Sequence, residues 1–288
     1  MKKTVFLLSL VQMIYTVCFC QENPVKTEKA RPVSYGQNPS AGKYYDIRGF
    51  RMYCEVYGKG KPLLIIHGNG GDISNFINQI PYFSKKYEVI VADSRAQGNS
   101  ADNSDSLTYE MMADDYAALL DALHIDSAFV IGWSDGGING LLLAIRHPEK
   151  VAKLAITGAN LVPDSSAVPQ EIWDMVTPVY NSIKNKSNRN PGEKASLKLL
   201  RLLVEQPHIP IRDLQTIQCP VLVIGGDHDV IKPEHTLLIF KNIPKAYLWI
   251  LPNSGHSTPI YYKDNFNITT DNFFSSPYRK IEKEQRFN

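Results

Sequence analysis

Six short stretches of this chain are apolar at nearly every position: residues 62–68 (PLLIIHG), 87–93 (YEVIVAD), 127–133 (SAFVIGW), 151–158 (VAKLAITG), 219–226 (CPVLVIGG) and 246–252 (AYLWILP). A strand with one face in water alternates apolar and polar residues. Unbroken runs this short therefore read as strands covered on both faces, the pattern of a parallel sheet. Helical patterns lie between most of them. In residues 108–125, Met112, Tyr116, Leu119, Leu120 and Leu123 recur at three- and four-residue intervals, and Thr108 stands where an N-cap belongs. The stretches GINGLLLAIRHPE and PEHTLLIFKNI supply two more helices. Ahead of the runs, residues 43–58 alternate around Arg48-Gly49, a hairpin signal. The expectation is an α/β fold: a mostly parallel, twisted, eight-stranded sheet with helices on both faces.

One connection breaks the rhythm. Residues 159–218 separate two strands with helical pieces around 169–184 and 193–205 and a polar break, NKSNRNPG. That is too long for a plain crossover, so residues 161–215 or so are read as a helical cap inserted over one end of the sheet. The N-terminus carries a different signal. Lys2 and Lys3 precede a charge-free apolar stretch ending at Cys20, the layout of a cleavable secretory signal peptide over residues 1–20. Export to the periplasm or medium follows as the expectation, without stable membrane insertion after cleavage. A lipid anchor through Cys18 or Cys20 is disfavoured because the preceding Val17 and Phe19 are bulky. Residues 21–42 read as a polar linker and residues 43–288 as the domain.

Without Lys2 and Lys3, 29 basic residues face 29 acidic ones, so the chain lacks an electrostatic footprint for nucleic acid or anionic membrane. Cys54 and Cys219 lie in or beside apolar strand patterns and are expected as separate buried thiols. His67, His124, His147 and His208 are scattered singly, and no spacing resembles a metal site.

The chemistry begins at Gly132-Trp133-Ser134-Asp135-Gly136, which places a serine between a strand and a helix, with glycines two residues to either side. In such sheets sites form at the carboxyl ends of strands. A strained turn there projects the hydroxyl outward, while the glycines let helix and strand pass closely. A serine needs a base, and His256 follows the strand 246–252 directly in LPNSGHSTP. The imidazole needs an acid to fix its tautomer. Asp229 in GGDHD has the expected reach past its strand, and Asp227, nearer the strand, is the alternative that would brace the turn. A developing oxyanion needs donors already in place. The backbone amides of Asp135, at a helix N-terminus, and of Asn69, in HGNGGD (67–72), are the candidates. His67 is read as bracing that loop, and Trp133 either lines the pocket or simply packs the strand end.

On these motifs, together with DSRAQGNS (93–100), the chain from about 45 to 285 resembles the α/β-hydrolase superfamily. Ala96 stands where the family's D-x-R-G-x-G-x-S pattern has glycine, a departure that touches local backbone and leaves the triad residues in place. The stretch GWSDGGINGLLLAIRHPEKVAKLAITGAN looks most like the valacyclovir hydrolase, or biphenyl hydrolase-like, branch. That resemblance implies a second role for Asp135, pairing with a substrate's α-amino group. The alternative is that its charge merely favours the helix N-terminus.

Together these features lead us to expect a serine hydrolase acting on small-molecule carboxylic esters through Ser134, His256 and Asp229, with no cofactor and no metal. The same scaffold also serves amidases, lactonases, C–C hydrolases and perhydrolases, or a non-catalytic binding protein. Oligomeric state is not legible here.

Overall fold

The structure, a computed structural model, describes residues 33–287. The candidate signal peptide and residues 21–32 of the expected linker lie outside the described residues.

Eight strands form one sheet: β1 (Gly42–Ile47), β2 (Phe50–Tyr57), β3 (Lys61–Ile66), β4 (Tyr87–Ala92), β5 (Ala128–Trp133), β6 (Val151–Thr157), β7 (Val221–Gly226) and β8 (Ala246–Leu251). Their order is β1-β2-β4-β3-β5-β6-β7-β8. The β1–β2 and β2–β4 pairs are antiparallel and the rest are parallel. Arg48 (φ 45°) and Gly49 (φ 89°) turn the first hairpin in two residues, the left-handed pair whose twist matches the flanking strands.

Six longer helices complete the domain: α1 (Tyr109–Ala122), α2 (Asp135–Arg146), α3 (Gln170–Lys184), α4 (Pro191–Glu205), α5 (Pro233–Asn242) and α6 (Lys263–Ser275). The apolar strand runs divide between two cores by simple alternation. Leu64 and Ile66 of β3 and Val130 of β5 face the core built with α1, α2 and α5. Leu63, Ile65, Phe129 and Ile131 face the opposite core with Phe76, Phe83, Phe266 and Phe274. Both faces are thus covered, which is why the runs are apolar at nearly every position. Thr108 caps α1 as its spacing predicts, its hydroxyl accepting the Met111 amide at 3.1 Å.

Between β6 and β7 the chain leaves the sheet and forms α3 and α4, which pack on each other. The polar break between them has a structural use: Asn190 and Glu193 form a reciprocal capping box at the start of α4. Tyr180 and Lys184 of α3 both bond to Glu205 of α4, tying the two helices together.

Two local features depart from the sequence expectations. Residues 34–41 belong to the domain rather than to a linker. The fully buried Glu55 carboxylate accepts the amides of Gly36 (2.9 Å) and Asn38 (2.8 Å) and the hydroxyls of Tyr53 (2.9 Å) and Tyr57 (2.7 Å). A buried carboxylate demands such donors, and the segment supplies two of the four. The segment 73–83 contains a short 3-10 turn and a helical turn, capped by Asp72, which the apolar pattern did not mark.

The loop after β4 is built on Asp93, which accepts the Ile73 amide at 2.9 Å and the Asn99 amide at 2.7 Å. Within it Ala96 adopts φ 63°, the left-handed region that glycine occupies without strain. Ala96→Gly should therefore raise unfolding stability by about 0.5–1 kcal/mol, the relieved strain outweighing the extra freedom of the unfolded chain. Urea denaturation of the two proteins reads this directly.

Candidate active site

β3 sits between β4 and β5, so successive connections leave it in opposite directions. Sites form at such a switch point, at the strands' carboxyl ends. The loops after β3 and β5 meet there: a Cβ placed on Gly68 would stand 3.1 Å from the Cβ of Ser134.

Ser134 occupies the tight turn between β5 and α2 with φ 58° and ψ −122°. An L-residue held there costs about 1–3 kcal/mol, and three features hold it. Its amide donates to the Thr157 carbonyl of β6 at 2.8 Å, while its own carbonyl accepts the Gly137 amide at 2.7 Å. Gly132 and Gly136 remove the side chains that would collide: a Cβ on Gly132 would lie 2.2 Å from the Gly136 carbonyl oxygen, and one on Gly136 2.0 Å from that of Ile66. The two flanking glycines are therefore required by packing.

The structure brings Ser134, His256 and Asp229 together. The Ser134 hydroxyl lies 2.9 Å from His256 Nε2, and His256 Nδ1 lies 2.6 Å from Asp229 Oδ1. The Asp229 carboxylate accepts, so Nδ1 carries the proton and Nε2 is left free to receive the serine's. Asp229 Oδ1 also accepts the Ile231 amide at 3.1 Å, whereas its buried Oδ2 has no donor among the described residues. Such an unmatched oxygen favours a positive charge appearing on the adjacent imidazole. Asp227 does the other job. It accepts the amides of Asn253 and Ser254 (both 2.9 Å) and bonds to His228, bracing the turn that leads to His256. Those donors hold its carboxyl far below the usual carboxylate range, the His228 bond first.

The two residues expected to supply oxyanion amides, Asp135 and Asn69, lie on adjoining segments joined by a bond between their side chains. Asp135 begins α2, where its amide has no carbonyl four residues back to bond. Asn69 lies in the adjoining loop, whose frame is set by His67. That buried ring donates from Nδ1 to the Gly68 carbonyl (2.7 Å) and accepts the Ser94 amide at Nε2 (2.9 Å). Burial lowers its affinity for a second proton, so His67 is a neutral brace, as its position suggested.

Trp133 is half-buried, and its indole N–H donates to the His256 carbonyl at 2.8 Å. Its polar end thus fastens the nucleophile strand to the histidine loop, a role neither of the sequence alternatives described. An open hollow of about 560 Å³ is walled by residues 253–257, Tyr261 and Tyr262. Ser134 is not among its walls, which places it beside the histidine loop and not in front of the nucleophile. Sequence reasoning also passed over Gly158. It follows β6 with φ 65°, and a Cβ there would approach His256 Cε1 to 2.7 Å. A glycine ending an apolar strand run was the available signal.

Asp135 is the electrostatic anomaly. Its side chain is buried, and desolvation raises its pKa to about 6 against the smaller lowering by the Asn69 amide, the Tyr109 hydroxyl and the charge of His256.

By this fold and the likenesses that follow, the chain belongs to the α/β-hydrolase family. A family described as alpha/beta hydrolase fold matches residues 61–184. The 2-hydroxymuconate semialdehyde hydrolase of Pseudomonas sp. (strain CF600) is 34% identical over 269 residues, covering 83% of this chain and 95% of that protein. The human serine hydrolase BPHL is 26% identical over 253 residues, covering 79% and 84%. Among solved structures, a meta-cleavage product hydrolase from Pseudomonas fluorescens superposes with a TM-score of 0.68 at 23% identity, over 82% of this chain and 98% of that one.

Gly158→Ala tests how tightly the histidine is seated. The added methyl must displace the His256 ring, and a shift near 1 Å costs about 100-fold in rate. A fluorophosphonate should then label Ser134 about two orders of magnitude more slowly, while far-UV circular dichroism stays unchanged.

Proposed function

We propose that this α/β-hydrolase is an exported serine esterase that cleaves carboxylic esters through an acyl-enzyme, with a preference for acyl groups bearing an α-amine. The observation that carries the reaction is the unbroken chain of contacts from Ser134 through His256 to Asp229. Ser134 Oγ bonds to the ester carbon as its proton passes to His256 Nε2. The amides of Asp135 and Asn69 receive the negative oxygen. The tetrahedral species collapses, the C–O bond to the alcohol breaks, and the alcohol leaves with the proton from Nε2. Water then repeats the sequence: its proton goes to Nε2, its oxygen bonds the acyl carbon, and Ser134 leaves reprotonated. Export rests on Lys2, Lys3 and the apolar run behind them. Among the described residues no helix is long and apolar enough to cross a membrane.

The amine preference rests on Asp135, a buried acid in the residue next to the nucleophile. A desolvated carboxylate gains from an ammonium partner. It also repels substrates that bring a carboxylate to the same place. The second reading, C–C bond hydrolysis, has support from the 34% identity to a 2-hydroxymuconate semialdehyde hydrolase. 2-Hydroxymuconate semialdehyde carries a carboxylate, and Asp135 disfavours it on electrostatic grounds.

A fluorophosphonate should label the purified protein at Ser134. Ser134→Ala should abolish labelling and lower p-nitrophenyl ester hydrolysis by at least about 1,000-fold. Persistent turnover in that variant would sink the mechanism.

The amine preference carries its own pH signature. An ammonium is held only by ionised Asp135, whose folded pKa is raised to about 6. The ratio of kcat/KM for an α-amino ester to that of its amine-free analogue should be highest near pH 7, fall towards one below pH 6 as Asp135 gains a proton, and fall again above about pH 8 as the substrate's own amine loses one. Taking the ratio cancels titrations that both substrates share. Asp135→Ala should flatten the curve; a ratio indifferent to pH and to this substitution rejects the ammonium role.

A further inference from the structure

The two residues proposed to supply the oxyanion amides are bonded to each other through their side chains. Asn69 Nδ2 donates to Asp135 Oδ2 at 2.8 Å. The same nitrogen donates to the Leu199 carbonyl of cap helix α4 at 3.1 Å. Both hydrogens of the carboxamide are thus committed, one to the nucleophile helix and one to the cap. The partners lie 66 and 130 residues away in sequence, so this one side chain joins three separate segments.

Its position in the loop gives that bond its weight. Residues 68–71 read Gly-Asn-Gly-Gly, so Asn69 has the only side chain in the stretch. Glycines make the backbone permissive and cost the most entropy to order. Three other contacts fix the stretch: the Gly71 amide donates to the Gly68 carbonyl at 3.1 Å within it, the His67 ring bonds the same carbonyl, and Gln97 Oε1 accepts the Gly70 amide at 2.7 Å. None of these bonds reaches α2. Oxyanion stabilisation depends on donors held within a few tenths of an ångström of their working positions before reaction.

We infer that the Asn69 side chain is a positioning residue: its bond to the Asp135 carboxylate fixes the spacing of the two oxyanion amides, and its bond to Leu199 makes that spacing depend on the cap being seated. The inference rests on the acyl-transfer reading above, but it concerns side chains that reading does not use. Asp135 thereby has a structural partner on the enzyme before any substrate arrives. A cap helix displaced from the loop removes one of two restraints on the hole, so a seated cap and a competent oxyanion site occur together.

The experiment uses the full chain and a neutral fluorophosphonate, whose phosphonyl oxygen must enter the oxyanion site whatever the natural substrate is. Asn69→Ala keeps the backbone donor and removes the tie. It should slow labelling of Ser134 at least tenfold, and for a neutral p-nitrophenyl ester the loss should appear in kcat, with KM moving less than threefold. Asp135→Ala should slow labelling similarly, and the double variant should be no slower than the slower single. Asp135→Asn, which keeps an acceptor for the Asn69 amide, should label at least fivefold faster than Asp135→Ala. Multiplicative losses in the double variant, or an Asn69→Ala protein that labels at the parent rate, would overturn the inference. If the parent protein itself is not labelled at Ser134, the acyl-transfer reading has failed first and takes this one with it. Labelling of the parent with no effect of Asn69→Ala removes only the tie. Melting temperature measured alongside separates a loosened loop from a loosened fold: a positioning role predicts the rate losses in variants whose melting point is within a few degrees of the parent.

Discussion

The organisation of this site follows from one backbone conformation, the left-handed turn at Ser134. No L-residue prefers it, and an isolated peptide would leave it at once. It persists because the sheet and α2 over-determine it. The Thr157 carbonyl on β6 takes the Ser134 amide, and α2 starts immediately beyond. The glycines at 132 and 136 allow α2 to pass the ends of β3 and β5 at a distance no side chain would permit. The turn sets the hydroxyl at the junction of β5 and α2, 2.9 Å from the His256 imidazole, and starts α2 at the next residue.

Around that turn the other groups are placed by loops that brace one another. His67 supports the Gly68 carbonyl, Gln97 the Gly70 amide, and Asp227 the turn before the histidine. Trp133 fastens the histidine loop to the strand that delivers the nucleophile. Of the polar side chains in this neighbourhood, few touch the reacting atoms, and most hold the backbone that does. This is the expected division of labour where water must be kept from a small preorganised space.

Much of this was legible beforehand, for identifiable reasons. The parallel strands announced themselves because both faces are covered, and Ser134, Asp229 and His256 could be assigned because each directly follows such a run. Asp227 and Asp229 were separable only by loop reach, and the structure gives each its own hydrogen-bonding task. Trp133 packs against the core as one of the two readings had it, but its indole bond went unseen because nothing local tells an N–H that its acceptor lies 123 residues on. The same limit hid the tie from Asn69 to Asp135 and Leu199, and it hid the four donors around Glu55 that draw residues 34–41 into the domain. The turns at 73–83 escaped notice because they are too short to show a periodic stripe. Periodicity records burial, whereas long-range polar pairing leaves no trace in spacing.

Cys54 and Cys219 are each buried as free thiols in the core beneath α1, α2 and α5, and burial raises the pKa of both. Each fills a volume that an aliphatic group could occupy, and neither is poised as a thiolate. The described part of the domain therefore reaches its folded state without any oxidative step. For these two buried thiols the packing is the same whether the surroundings are reducing or oxidising.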